Sequence, residues 1–292
     1  MGATMRFSAV VLLLSFCSLS AANDSVAPNS VAPNSVAPNY VAPRGPGDRP
    51  NLNGVWQVLN RANFDVEPHS ARAGMQLVAG NLKQIPAPEL VPLGAVGAVP
   101  AGFGVVVGGQ IPYKPEALKL RNENRADWLN RDPEIKCYLP GIPRANYMPH
   151  PFQIVHSEEA IFFSYEYAGA ARNVYLEDPG EAPVDSWMGQ SYGYWDGDTL
   201  VIEVTGQNDS TWLDRAGNHH SASMKVVERF TPTSDHTMRY DVKIEDAQTY
   251  TAPWQMSMTL YRRVGVDAQL QQFKCVEFVE ELLYGHLRKP TD

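Results

Sequence analysis

The sequence predicts an all-β domain: an antiparallel meander of about nine strands, closed or partly closed into a barrel, with one helix and a long irregular N-terminal segment. Two observations carry that expectation. Beyond Pro151, apolar and polar residues alternate at period two, the spacing that sends one side-chain set to a core face and the other to solvent. In TMRYDVKIED, Met238, Tyr240, Val242 and Ile244 share one face, and Arg239, Asp241, Lys243 and Glu245 share the other. The alternating runs also follow one another through short turn-forming connections, among them Asp196-Gly197 in WDGDT and the stretch TPTSDHT, as hairpins require. So many strands must hide their edges by closing or by folding into two layers, which makes a barrel the first choice and a two-sheet sandwich the alternative.

Taken in order, Arg6, the apolar run FSAVVLLLSFCSLS and the small residues Ala21 and Ala22 have the pattern of an export signal spanning 1–22. Residues 23–50 form a Pro-rich repeat of the type SVAPN, which has little to bury and reads as a disordered linker. Residues 51–292 are expected to form a single barrel-like domain. Its first part, 51–150, holds the strand GVWQV (Gly54–Val58), an apolar flap and the helix. The flap comes from Leu90–Tyr113, which is free of charge; Pro92, Pro100, Pro112 and six glycines exclude a membrane-spanning helix there. The helix is read from KPEALKLRNENRADWLN, with Pro115 in its first turn, packing over an edge or an end of the sheet. The meander, 151–264, runs through FQIVHS, AIFFSYEYAG, RNVYLED, SYGYWDG, TLVIEVTG, SMKVVERFTP, TMRYDVKIED and QMSMTLYRRV, and 265–292 is a C-terminal extension.

Composition removes several function classes. The net charge of −8 without a Lys/Arg cluster argues against nucleic acid as a partner, and no transmembrane segment is expected once the signal is removed. GFGVVVGG lacks the spacing and the distal acidic residue of a dinucleotide site, and no cofactor is expected. Cys17 lies in the signal. Cys137 and Cys275 remain for an oxidising compartment, where one long-range disulfide is the economical arrangement. Adjacent His219 and His220 point to opposite faces of an extended chain, so no metal site is expected.

Candidate chemistry concentrates in TGQNDSTWLDRAGNHHS, Thr205–Ser221. GQSYG with a later Asp and His matches the order of a serine hydrolase, but Ser191 runs straight into a hairpin, where no nucleophile elbow forms. Two readings of Asp214 and His220 stay open: an acid/base pair across the loop, since an aspartate beside a histidine stabilises its charged form, or side chains that only shape turns, as Asn208 and Asp209 are expected to do. Face parity aims Arg172 inward with Val174, and Glu228 inward with Val226 and Phe230. They would form either a structural ion pair or a polar floor that orients ligand groups. Tyr165, Tyr194, Trp212 and Trp254 are expected to contact the ligand.

NLNGVWQ resembles the Gly-x-Trp start of lipocalin-like barrels, in which an arginine of the last strand, here Arg262 or Arg263, covers the tryptophan, here Trp56. A longer pattern, CYLPGIPR, SYGYWDGDTLVIEVTGQND, TWLDRAGNHHS and VVERFT, resembles a large family of exported bacterial proteins of unassigned activity. That resemblance implies characteristic positions at Gly193, Trp195, Gly197, Asp198, Asn208, Asp209, Leu213, Asp214, Gly217, His220, Ser221, Glu228 and Arg229, while CVEFVEELLYG departs from the family's Cys-x-Glu ending. The expectation is a secreted or periplasmic barrel that binds a small apolar or aromatic molecule. On that molecule Asp214, His220, Glu228 and Arg172 would carry out acid/base chemistry as in an isomerase, cyclase, hydratase or lyase; the alternative is a non-catalytic binding protein.

Overall fold

The structure is a computed structural model that describes residues 40–73 and 98–277. The export-signal pattern, most of the repeat, the first part of the charge-free stretch and the end of the C-terminal extension lie outside the described residues. Within them, nine strands close into one barrel: β1 (Gly54–Val58), β2 (Phe152–His156), β3 (Ile161–Tyr165), β4 (Ala171–Tyr175), β5 (Gln190–Asp196), β6 (Thr199–Thr205), β7 (Lys225–Ser234), β8 (Thr237–Glu245) and β9 (Trp254–Arg262). Every alternating run in the sequence becomes a strand. Neighbours in sequence are neighbours in the ring, and β1 closes it by pairing with β9 on one side and β2 on the other.

The expectation of a wholly antiparallel meander needs correction. Eight neighbouring pairs are antiparallel, but β4 and β5 run parallel, joined at Val174↔Ser191 and Tyr175↔Tyr192. Parity gives the reason. Strands that alternate up and down around a ring return to their starting direction only when their number is even, so a closed ring of nine must contain a like-directed pair. Parallel neighbours need a crossover of roughly a dozen residues or more, and residues 176–189 provide it.

The barrel interior is filled by large side chains from every side, including Trp56, Phe152, Phe163, Phe230, Tyr240 and Met258, all buried. One pole carries tight connections, such as the Gly197–Asp198 turn between β5 and β6. The other pole gathers the long connections, including 206–224. Helix α1 (Pro115–Ala126) covers that pole through polar rather than apolar residues, for its buried side chains are Arg121 and Asn124. Gly217 permits the contact: with φ +85°, a Cβ there would stand 2.7 Å from both the Arg121 carbonyl oxygen and the Arg125 nitrogen. The described part of the apolar flap is an irregular strip against β9, where the Val107 N–H donates to the Gln255 carbonyl and the Ser257 N–H to the Val105 carbonyl.

Cys137 and Cys275 form a disulfide with a Cα–Cα distance of 5.6 Å, tying the C-terminal extension to the segment between α1 and β2. Among the described residues no helix is long and apolar enough to cross a membrane.

Candidate functional site

The long loop after β6 folds back on itself through a bridge between Trp212 and His219, with Asp214 at its turn. Asp214 is fully buried and accepts from the backbone N–H groups of Val66 (2.8 Å), Ala216 (2.8 Å) and Asn218 (3.2 Å), and from Asn218 Nδ2 (2.6 Å). Burial, then the neighbouring Asp65 carboxylate, push its pKa up to about 7, against the pull of those donors. His220 is also buried. Its Nδ1 faces the Ser221 carbonyl at 2.9 Å and therefore carries the proton, so the Thr211 hydroxyl donates to Nε2 at 2.6 Å. Burial lowers its pKa and favours the neutral ring.

The bonds of Asp214 and His220 thus run to different partners, and the expected acid/base pair is not assembled. Nor is this pole an open mouth. Trp212, Asp214 and His220 are all buried, because α1 and the chain near Val66 lie over the loop. Asn208 does shape the turn, accepting from the Ser210 N–H at 3.1 Å, while Asp209 is exposed. A second buried cluster beneath the same cap was not anticipated: Arg144 pairs with Asp132 and Glu134, and Arg215 with Glu134. Burial opposes ionisation of Glu134, yet Arg215 and Arg144 hold its pKa at about 2. Three charged residues in and around CYLPGIPR were its only sequence signal.

Arg172 and Glu228 do meet inside the barrel as a buried ion pair. Face parity identified both, since Arg172 lies in β4 beside Val174 and Glu228 in β7 between Val226 and Phe230. Around them is a network of neutral groups. Arg172 Nε donates to Ser191 Oγ at 2.7 Å, so this hydroxyl serves the arginine rather than a histidine. The Tyr240 hydroxyl and Asn146 Nδ2 donate to Glu228 Oε1 at 2.5 and 2.7 Å. The Tyr165 hydroxyl donates to Asn146 Oδ1 at 2.9 Å. Burial and the Glu228 charge raise the Tyr240 pKa well above the usual phenol range. Burial opposes the charge on Arg172, but the Glu228 carboxylate keeps the guanidinium ionised. The guanidinium also lies over the Phe163 ring at 5.2 Å. Its Nη1 is buried and makes no well-formed hydrogen bond among the described residues, although the Tyr165 hydroxyl stands beside the guanidinium. Asn146 and Tyr240 were missed as site residues, although Tyr240 shares a strand face with Met238, Val242 and Ile244.

The remaining aromatic candidates scatter. Tyr165 belongs to the network. Tyr194 lies on the outer surface, 39% exposed, with its hydroxyl 3.4 Å from Glu203. Trp254 packs edge-on against Tyr250, with ring centroids 5.5 Å apart. Trp212 is buried in the loop.

One pocket lies on the outer side of the strand that carries Arg172. It lies at the β4–β5 seam, has a volume of about 240 Å³, and is lined by Arg172, Tyr175, Pro183, Val184, Met188 and Gln190 among others. No group of metal-ligating residues occurs among the described residues. The chain matches no protein-family model, no curated protein and no solved structure.

Proposed function

We propose that the protein is an exported small-molecule-binding barrel whose ligand is held at the Arg172–Glu228 network, and that it belongs with the exported bacterial proteins its sequence resembles. The observation that carries this reading is the Arg172 Nη1 donor, buried beside aromatic walls without a well-formed hydrogen bond. Buried donors are nearly always satisfied; Arg172 Nη1 is one of four unsatisfied buried atoms among the described residues, with His219 Nδ1, Trp254 Nε1 and Arg262 Nε, and its residue also lines the pocket at the β4–β5 seam. An ion pair that served packing alone would be expected to close its own hydrogen bonds. The disulfide is compatible with an oxidising compartment.

Binding is favoured over acid/base turnover because Asp214 and His220 are each committed to structural bonds. The test is extraction and mass spectrometry of the purified protein. The wild type should retain a small molecule, and so should His220→Ala. The double variant Arg172→Met/Glu228→Gln, which removes the ion pair without stranding a charge, should not. Equal retention by the double variant, or nothing retained by the wild type, overturns the reading.

A further inference from the structure

The ring is least zipped at one joint, below even the three pairs at each side of β1. β4 and β5 pair at only two positions, whereas β5 and β6 pair at seven. The end of the crossover is drawn to the far side of the gap. Ser186 bridges Gln207, its N–H donates to the Gly206 carbonyl at 2.8 Å, and the Asn208 N–H donates to its carbonyl at 3.0 Å. The Gln190 side chain is held by the crossover, its Nε2 donating to the Gly180 carbonyl at 2.7 Å. Ala171, Arg172 and Asn173 are therefore left without a strand partner on the β5 side, and the pocket at the seam is the resulting breach in the wall.

We infer that this breach is the entrance to the Arg172 site, and that the site takes a small neutral molecule with a single carbonyl-type acceptor on an apolar or aromatic body. The inference rests on the reading of Arg172 as the ligand-binding residue. Three observations select the class. Arg172 already gives Nη2 to Glu228 and Nε to Ser191, so Nη1 is the nitrogen left without a partner and a bidentate carboxylate would have to share Nη2 with Glu228. Glu228 already neutralises the guanidinium. A second anion would therefore bring an uncompensated charge into the interior, at a cost of several kcal/mol; a carbonyl satisfies the donor with no such cost. Size agrees, because about 240 Å³ falls below the ~300–1,000 Å³ typical of drug-sized ligands. The breach is lined on one side by Ala182, Pro183, Val184 and Met188, which would meet an apolar body, and on the other by the polar Asn173, Ser186 and Gln190.

Three probes of similar shape test the inference: acetophenone, benzoate and ethylbenzene, titrated into the full mature protein by calorimetry and ligand-observed NMR. Acetophenone should bind saturably, with benzoate and ethylbenzene at least tenfold weaker. Val184 lines the breach and is 72% exposed, so Val184→Trp should fill the entrance without disturbing the fold and weaken acetophenone at least tenfold. Benzoate binding as tightly as acetophenone overturns the ligand class and leaves the Arg172 site standing. Unchanged binding by Val184→Trp overturns the entrance. If the wild type retains an extractable molecule yet binds none of the three probes, the ligand class falls while the site reading survives.

Discussion

Arg262 lies over the indole of Trp56, its guanidinium carbon 4.5 Å from the ring centre. The same guanidinium donates to the Asn53 and Asn51 carbonyls at 2.6 and 3.0 Å, so one side chain of the last strand fastens the approach to the first. Of the two arginines considered from the sequence, Arg262 is the one that covers the ring.

Arg262→Ala should therefore cost about 2–4 kcal/mol, combining the lost cation–π contact with two carbonyls deprived of a charged donor. Arg262→Lys keeps the charge but not the fork and should lose roughly half as much. Urea denaturation measures both, and a change below about 0.5 kcal/mol for the alanine variant would show that the closure does not depend on this contact.

Inside the barrel the order of variants is the informative quantity. Glu228→Ala strands Arg172 as an uncompensated buried charge and should destabilise by about 3–5 kcal/mol. Arg172→Met combined with Glu228→Gln should be substantially less damaging than Glu228→Ala alone. Stability curves for the two proteins decide it; if the double variant is the worse, the pair is more than a mutually compensating charge couple.

The Asp214 carboxyl is expected to titrate near pH 7, as burial and then Asp65 raise it from 3.8 to about 7. The folded state then binds the proton more tightly than the unfolded state. The stabilisation this provides is fully present below about pH 3.8 and is lost as the pH rises through 7. Carboxyl carbon shifts followed by NMR against pH should show this midpoint, and Asp65→Asn should move it down. A midpoint below pH 5 would mean that the four donors outweigh burial.

The disulfide links residues 138 apart in sequence, and a cross-link of that span restricts the unfolded chain by at most about 5 kcal/mol. Reduction should lower stability by roughly 2–5 kcal/mol, seen as a shift in the denaturation midpoint with and without reductant. An unchanged midpoint would place the stabilising restraint elsewhere.

The strands were legible because each is a local pattern: the alternation in Met238, Tyr240, Val242 and Ile244 needs no knowledge of the rest of the chain. Arg172 and Glu228 were legible for the same reason, since parity within β4 and β7 aims them inward. The parallel seam was also within reach, because a closed ring of nine strands already implies it. The cap was not. Asp214 is oriented by Val66, and the adjoining turn by Arg121 and Tyr113, partners about a hundred residues or more away in sequence. Proximity in the loop therefore suggested a pairing with His220 that long-range bonds override. Helix α1 was found by its formers and its proline, but its polar docking on Gly217 has no periodic signature.

The odd strand number has a consequence for how such barrels change over time or by design. Deleting a strand, or converting the crossover at 176–189 into a tenth, would let the up-and-down alternation run unbroken around the ring. Every joint could then be zipped along its whole length. A gain in regularity of that kind would seal the wall beside Arg172, so the proposed entrance depends on keeping an uneven count.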